Sequence, residues 1–303
     1  MDTNNNSSRT IIVAGATGHL GQKICTNLIG IGATVKALVR KESNSVAITS
    51  LQKLGVQVIE TEFDQPSKLI KACRGCSCLV SAVSGLREII VDLQTKLLNA
   101  AVEAGIPRFI PSDYCIDYTK LPKGSNRNLD LRREFNGILD HAPMKGTSIL
   151  NGMFTDLLVG EAPVVLFKIK RVLYWGSKHQ LLDFTTMNDT ATYTAYAVVD
   201  DTTPRYLRIA GDVKNAEGLK DAATEATGKK FGLLRPGGLG LFKTMIRITK
   251  TLSPGKKDVF PAWQGMQYMY NMYTGLPKLE PLDNDRYPIK WTSVKDVLVT
   301  HNN

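Results

Sequence analysis

Three glycines at regular spacing lie near the start of the chain, in the stretch 11-IIVAGATGHLGQKI-24. Gly15, Gly18 and Gly21 follow an apolar run and precede a segment with helical spacing. Glycine permits a tight turn after a strand and a close approach of the backbone to a bound group. The start of a helix attracts phosphate, because its first N–H groups are free and the helix dipole is positive there. The pattern therefore predicts a loop that binds the pyrophosphate of a dinucleotide.

We expect this loop to bind mainly through its backbone, so every residue in it is a candidate. The candidates are Gly15, Ala16, Thr17, Gly18, His19, Leu20 and Gly21. The alternative interpretation is a glycine-rich turn with a purely structural role.

The end of the second predicted strand indicates which dinucleotide binds. An NAD-binding domain usually has an acidic residue about 20 positions after the loop, which binds the ribose 2′-hydroxyl. Here Arg40 stands 19 residues after Gly21, and Lys41 follows it. A guanidinium can bind a 2′-phosphate through two hydrogen bonds, whereas a carboxylate would repel it. The pair predicts NADP(H); the alternative is a solvated basic turn.

Strands and helices alternate along the first half of the chain, and these elements must position the candidate residues. Strands are predicted over 10–14, 34–39, 56–60, 77–83 and 107–112, and helices over 18–31, 45–54, 66–74 and 87–104. This alternation is typical of an α/β fold, a Rossmann doubly wound parallel sheet with helices on both faces.

The pattern changes after Ser112. We expect an irregular loop over 113–128, a helix over 128–141 and a strand over 146–152. A hairpin is predicted around Gly176, and 212–303 is expected to be mostly helical. The predicted domains are a disordered leader over 1–9, an NADP(H)-binding domain over 10–152 that segments near 187–211 rejoin, and a smaller, mostly helical substrate-binding domain over 153–303.

Composition excludes several other classes of protein. The net charge is +10, but the lysines and arginines are dispersed, which favours a small anionic ligand over nucleic acid. No apolar run is long enough to span a membrane and no signal peptide is visible, so we expect a cytoplasmic protein without membrane contact. Cys73, Cys76 and Cys78 could form a redox or metal site, although small buried apolar groups are the better interpretation and we predict no metal.

Several segments resemble the NmrA-like and isoflavone-reductase-like proteins, which are atypical members of the short-chain dehydrogenase superfamily. The segments are GATGHLG at 15–21, the strand that ends at Arg40, 109-FIPSDYCID-117, 146-GTSILNGMF-154 and 173–198. The resemblance implies a substrate cleft beside the cofactor domain. It also implies that Ala82 and Val83 lie under the cofactor, that Ser112 lies near the nicotinamide, and that the nicotinamide and substrate cleft is lined by Gly152, Met153 and Phe154. Alternatively, Val83 and Phe154 are ordinary core residues.

One residue departs from the family pattern. In the isoflavone-reductase branch, a lysine on the helix after the fifth strand is catalytic, whereas alignment back from 147-TSILNGMF-154 places Arg132 there. An arginine keeps its charge and cannot act as a general acid near neutral pH, although it could stabilise an oxyanion or hold the cofactor. Alternatively, Arg132 and Arg133 contact solvent, Asp130 and Glu134.

Other proton donors are possible. Ser112, Tyr114 and Tyr118 carry hydroxyl groups after the fifth strand, and Ser112 is the best placed of them. The spacing of Tyr174 and Lys178 matches the Tyr-x-x-x-Lys pair of classical superfamily members, but the segment does not have a helical pattern and we regard the match as coincidental.

Two functions remain open. One is an NADPH-dependent reductase that transfers hydride to a small apolar or aromatic carbonyl, enone or quinone-like acceptor. The other is a non-catalytic NADP(H)-binding regulator of the NmrA type, in which the dinucleotide sets a conformation that a protein partner recognises.

Overall fold

The computed structural model describes residues 9–302, which divide into two compact units. The first unit consists of residues 9–113, Leu131–Ile149 and Thr190–Leu207, and the second of Tyr114–Asp130, Leu150–Asp189 and 208–302. The predicted leader lies outside the described residues, apart from Arg9.

The first unit is built around a parallel sheet of six strands in the order β3-β2-β1-β4-β5-β6. The strands are β1 (Thr10–Ala14), β2 (Thr34–Val39), β3 (Gln57–Glu60), β4 (Cys78–Ser81), β5 (Arg108–Ile110) and β6 (Lys145–Gly146). β1 and β4 are buried almost throughout, as is expected of strands that helices cover on both faces. This strand order is that of a dinucleotide-binding Rossmann fold, so the predicted fold class is confirmed.

Helices cover both faces of the sheet. They are α1 (His19–Gly30), α2 (Ser45–Lys53), α3 (Pro66–Cys73), α4 (Gln94–Glu103), α5 (Arg127–Leu139) and α6 (Met187–Val199). On one face, apolar side chains of α3, α4 and α5 form the main core with Ile12, Leu79 and Phe109 of the sheet. On α1, Asn27 accepts a hydrogen bond of 3.0 Å from Thr192 of α6, so the late segment 190–207 belongs to this unit.

Two predicted elements are interrupted. The helix expected over 87–104 begins as a π-helical segment, Glu88–Leu93, and becomes α-helical only at Gln94. The strand expected over 146–152 changes partner within two residues, because the Thr147 N–H donates to Phe109 O and the Ser148 N–H donates to Arg205 O. It therefore divides into β6 and β7 (Ser148–Leu150), which pairs with β12 (Tyr206–Arg208).

The second unit combines two small sheets with helices. One sheet has the order β14-β10-β9 and the other β13-β11-β8. The strands are β8 (Met153–Phe154), β9 (Val165–Leu166), β10 (Arg171–Leu173), β11 (Leu182–Thr185), β13 (Asp212–Lys214) and β14 (Gly232–Leu234). The helices are α7 (Ala216–Thr227), α8 (Leu239–Leu252), α9 (Ala262–Tyr273) and α10 (Val294–Asn302).

The hairpin predicted around Gly176 is wrong. Its two arms became β10 and β11, which lie in different sheets: β10 pairs with β9 and β14, and β11 pairs with β8 and β13. The linker between β10 and β11 packs against two helices. Trp175 stacks on Phe242 of α8, with 4.2 Å between ring centroids, and Lys178 forms an ion pair of 2.7 Å with Glu217 of α7.

The segment Tyr114–Asp130, which includes the first residues of α5, belongs to the second unit and not to the predicted cofactor domain. Its contacts explain this placement. The Asp117 carboxylate accepts a hydrogen bond of 2.7 Å from Arg208. Cys115 O accepts the backbone N–H groups of Asn151 and Gly152.

Candidate functional site

The glycine loop lies at the carboxyl end of β1, next to β4, where the strand order reverses. This switch point is where doubly wound sheets bind nucleotides. Gly15 has a φ of +79°, a conformation that favours glycine. A Cβ on Gly15 would lie 2.5 Å from Ala82 O, and one on Gly21 would lie 2.1 Å from Gly15 O. Because both neighbours are backbone atoms, no larger residue fits at either position.

The start of α1 is open to an anion. Gly18 is its N-cap and no side chain caps the helix, while the first turn carries no acidic residue. The loop is braced from within, because Gln22 Nε2 donates to Thr17 O at 3.0 Å. His19, the first residue of α1, is exposed beside the free backbone N–H groups of the first helical turn. The loop therefore has the shape and charge that a pyrophosphate requires.

Two basic side chains stand at the end of β2. Arg40 and Lys41 are exposed, and neither forms an ion pair with a carboxylate within residues 9–302. Their turn is fixed, because the Arg40 N–H donates to Ser43 Oγ at 3.0 Å and Asn44 caps α2 through the N–H groups of Val46 and Ala47. Both cations are thus presented from an ordered turn.

Ser112 follows β5 at the same edge of the sheet. Its hydroxyl donates to Val83 O at 2.6 Å, its N–H donates to Gln94 Oε1 at 3.0 Å, and its carbonyl accepts Arg132 Nε at 3.0 Å. The hydroxyl proton that we regarded as the best placed for catalysis is therefore held by a backbone carbonyl.

Arg132 is 9% exposed, so the expectation of a solvent-facing residue is wrong for it. The two acidic residues proposed as its partners have other partners in the structure. The Asp130 carboxylate accepts a hydrogen bond from the Gly124 N–H, and Glu134 forms an ion pair with Arg87. The packing of α5 on the sheet explains the burial of Arg132, since α5 also places Phe135 against Phe109, with 5.7 Å between their ring centroids.

Sequence reasoning missed a buried polar network behind Ser112. Asp113 Oδ2 accepts Asn136 Nδ2 at 2.6 Å and Ser148 Oγ at 2.7 Å, and Arg205 Nη1 donates to the same Ser148 hydroxyl at 2.7 Å. The network joins the end of β5 to α5 and β7. Asp113 was visible in the segment PSDY, but its partners lie too far along the chain for any local pattern to indicate them.

The remaining candidates lie in the second unit. Tyr114 and Tyr118 are buried, the latter in a 3₁₀ turn over Tyr118–Lys120. Met153 and Phe154 form β8, which pairs with β11. Gly152 has a φ of +69°, and a Cβ there would lie 2.4 Å from Asp183 O, so this turn also requires glycine.

A buried ion pair beside Gly152 was not predicted. Asp183 pairs with Lys278 and accepts the Leu279 N–H at 2.8 Å. Burial raises the pKa of Asp183, while the Leu279 N–H and the Lys278 ammonium act in the opposite direction. Both side chains border a small depression that Ile116, Gly152, Leu182 and Met272 also line.

The three clustered thiols are all buried. Cys73 ends α3 and Cys78 begins β4. Burial raises the pKa of Cys73 and of Cys78 to about 12, so both remain protonated and pack as small apolar groups. Residues 9–302 contain no group of acidic, histidine and cysteine side chains arranged to hold a metal, and no helix among them is long and apolar enough to cross a membrane.

Comparison with known proteins gives consistent matches. The NmrA-like family model matches residues 7–127. Pinoresinol reductase 2 of Arabidopsis thaliana is 28% identical over 217 residues, which are 67% of this chain and 68% of that protein. Bifunctional pinoresinol-lariciresinol reductase 2 of Thuja plicata is 29% identical over 209 residues, 64% of this chain and 66% of the relative. These alignments cover about two thirds of each relative's length.

Solved structures match over a greater length. The structure of AtPrR2 with NADP⁺ and (+)pinoresinol has a TM-score of 0.83 at 23% identity, covering 97% of this chain and 99% of that one. An isoflavone reductase has a TM-score of 0.80 at 19% identity, with the same coverage. At these identities the structures show a shared fold. Together with the sequence matches and the glycine loop, they show that the chain is similar to the NmrA-like and isoflavone-reductase-like proteins.

Proposed function

We propose that the chain is an NADPH-dependent reductase that acts on a small aromatic acceptor. The observation that carries the proposal is the glycine loop at the switch point of the sheet, packed against Ala82 and Val83 so closely that no side chain fits between them. Such a loop serves to bring backbone N–H groups against a dinucleotide phosphate.

The residues present fit NADP(H) as the cofactor. The uncapped start of α1 receives the pyrophosphate, and Arg40 with Lys41 receives the 2′-phosphate that distinguishes NADP(H) from NAD(H). Ala82 and Val83 form the floor beneath the nicotinamide half. The related AtPrR2 structure contains NADP⁺, which supports this choice.

The proposed substrate is a small, largely apolar aromatic molecule. The sequence relatives are reductases of pinoresinol and lariciresinol, and AtPrR2 binds (+)pinoresinol in the structure with the same fold. Gly152, Met153 and Phe154 are our candidates for the substrate wall in this chain. Whether the acceptor is a carbonyl, an enone, a quinone or an ether of the pinoresinol type is part of the test.

Bound NADPH supplies the hydride. Arg132 remains charged throughout and stabilises negative charge that develops on the acceptor, but it cannot supply a proton. The Ser112 hydroxyl is bound to Val83 O, so its proton is held back. Tyr114, Tyr118 or water is therefore the proposed proton source.

The regulator alternative is favoured by one observation, the buried arginine at the position of the catalytic lysine. A chain that only senses NADP(H) has no need of a proton donor at that position. In this case NADP⁺ and NADPH would bind and set different affinities for a protein partner.

NADPH oxidation, followed at 340 nm, distinguishes the two functions. The acceptors are pinoresinol, a quinone, an aromatic enone and an aromatic aldehyde. We expect turnover of at least one aromatic acceptor, and a fall in kcat of roughly 100-fold in Arg132→Met, the usual effect of removing one oxyanion-stabilising donor. The matched control is Arg171→Ala, an exposed arginine of the second unit. Tight NADPH binding without turnover of any acceptor would contradict the reductase and favour the regulator.

A further inference from the structure

Gln94 is a fully buried amide whose two ends are both engaged. Its Nε2 donates to Ile90 O at 2.6 Å inside the π-helical segment, and its Oε1 accepts the Ser112 N–H at 3.0 Å. The first residue of α4 is thus tied to the loop that follows β5. Rotation of the side chain would leave a buried polar atom without a hydrogen bond, which costs free energy. The two bonds therefore hold the amide in a single orientation.

Ser112 transmits this constraint to the end of β4. Its hydroxyl donates to Val83 O at 2.6 Å. β4 ends at Ser81, and the Ala82 N–H still donates to Ala14 O of β1 at 2.8 Å. The Val83 carbonyl lies one residue beyond that bond. The contacts Gln94–Ser112–Val83 therefore hold the end of the segment Ala82–Val83, whose start is bonded to β1 through the Ala82 N–H.

That segment is the one against which the glycine loop packs. A Cβ on Gly15 would lie 2.5 Å from Ala82 O and 2.9 Å from the Val83 nitrogen. A shift of Ala82 and Val83 would thus displace either the loop or the surface beside it. Arg132 holds the same serine from the other side, through its bond of 3.0 Å to Ser112 O.

We propose that Gln94 is a positioning residue for the nicotinamide half of NADP(H). Through Ser112 it fixes the Val83 carbonyl, and so the end of the segment Ala82–Val83 on which that half rests. The inference builds on the proposed cofactor and assigns Ser112 to the same task. The adenosine half, bound at Arg40 and Lys41 beside β2, does not depend on this chain of contacts.

The test compares two ligands that share the adenosine half. NADPH and 2′,5′-ADP are titrated calorimetrically into the wild type and into Gln94→Leu, which keeps the volume and removes both hydrogen bonds. We expect the dissociation constant of NADPH to rise about tenfold, because the backbone under its nicotinamide half is no longer held, and that of 2′,5′-ADP to stay within about twofold. Asn99→Leu, an exposed residue of the same helix, is the matched control and should change neither constant.

Two further variants keep the test decisive if Gln94→Leu does not fold. Gln94→Glu retains an acceptor for the Ser112 N–H and should lose less NADPH affinity than the leucine variant. Ser112→Ala removes only the hydroxyl and should reproduce the selective loss. Unchanged NADPH affinity in Gln94→Leu or Ser112→Ala, or equal losses for both ligands, would overturn the positioning role. A wild type that binds 2′,5′-ADP but not NADPH would contradict the proposed function instead.

Discussion

Arg132 is buried at the position where the family resemblance leads us to expect a lysine. Its Nε bond to Ser112 O and its burial make it part of the structure around the end of β5. A lysine at this position could lose and regain a proton, because burial lowers the pKa of an ammonium. A guanidinium cannot, so any catalytic contribution of Arg132 must come from its charge and its hydrogen bonds alone.

Arg40 carries the prediction about cofactor choice. Because its side chain is exposed and pairs with no carboxylate within residues 9–302, Arg40→Ala should leave the free energy of unfolding nearly unchanged. Loss of a charge-assisted contact to the 2′-phosphate should raise the dissociation constant of NADPH about 10- to 100-fold. The constant for NADH should not change. Calorimetric titration of both ligands checks this, and a parallel loss for NADH would argue against a 2′-phosphate contact.

At the level of elements, the sequence predicted what depends on local pattern. The first five strands and their helices follow from apolar periodicity and glycine positions, and each is present within a few residues of its expected bounds. The π-helical start before α4 could not be predicted, since residues 87–104 have ordinary helical spacing. Several short strands of the second unit were missed because their partners lie far away in sequence: β14, for example, pairs with β10 at Arg171–Leu173.

The start of α5 gives a prediction about stability. Asn126 Oδ1 accepts the N–H groups of Asn128 and Leu129, and it also accepts Gln264 Nε2 at 2.6 Å. Asn126→Ala removes the cap and leaves the buried Gln264 amide without that acceptor, so it should lower the free energy of unfolding by about 2–3 kcal/mol.

Asn44→Ala is the matched comparison for this cap. Asn44 caps α2 through two N–H groups at the surface, and its loss should cost only about 1 kcal/mol. Urea unfolding of both variants measures the difference. Equal costs would mean that the Gln264 contact adds nothing to the cap.

At the scale of the whole molecule, the candidate site was predictable where one segment supplies it and unpredictable where several do. The glycine loop and Arg40 can each be predicted from one short segment of the sequence. The environment of Ser112 depends on Gln94, Val83 and Arg132, which approach it only when the sheet forms. For this reason the hydroxyl looked available in the sequence, although the folded chain engages it.

Asp201 joins three distant parts of the first unit and makes their association depend on pH. Arg9 donates to both of its carboxylate oxygens, at 2.9 and 2.7 Å. The side chain of Arg108, which is 5% exposed, lies 3.4 Å from it. The hydrogen bonds from Arg9 lower the pKa of Asp201 below its ordinary value, and Arg108 adds to this effect. A carboxyl group whose pKa is lowered by folding stabilises the fold above its ordinary pKa, and this contribution is lost as the pH falls through the lower value.

A double-mutant cycle of Arg9→Gln and Asp201→Asn measures that contribution. Since the Asp201 side chain is 71% exposed, solvent screening limits the coupling energy at pH 7 to at most about 1 kcal/mol. The coupling should be constant from pH 7 down to the ordinary aspartate pKa, about 3.9, and should fall towards zero below it. Salt should weaken the exposed Arg9 contact, because screening acts mainly on exposed charges. Urea unfolding of the four proteins at several pH values checks both trends. A coupling energy that persisted undiminished in acid would show that Arg9 and Asp201 interact through packing and not through charge.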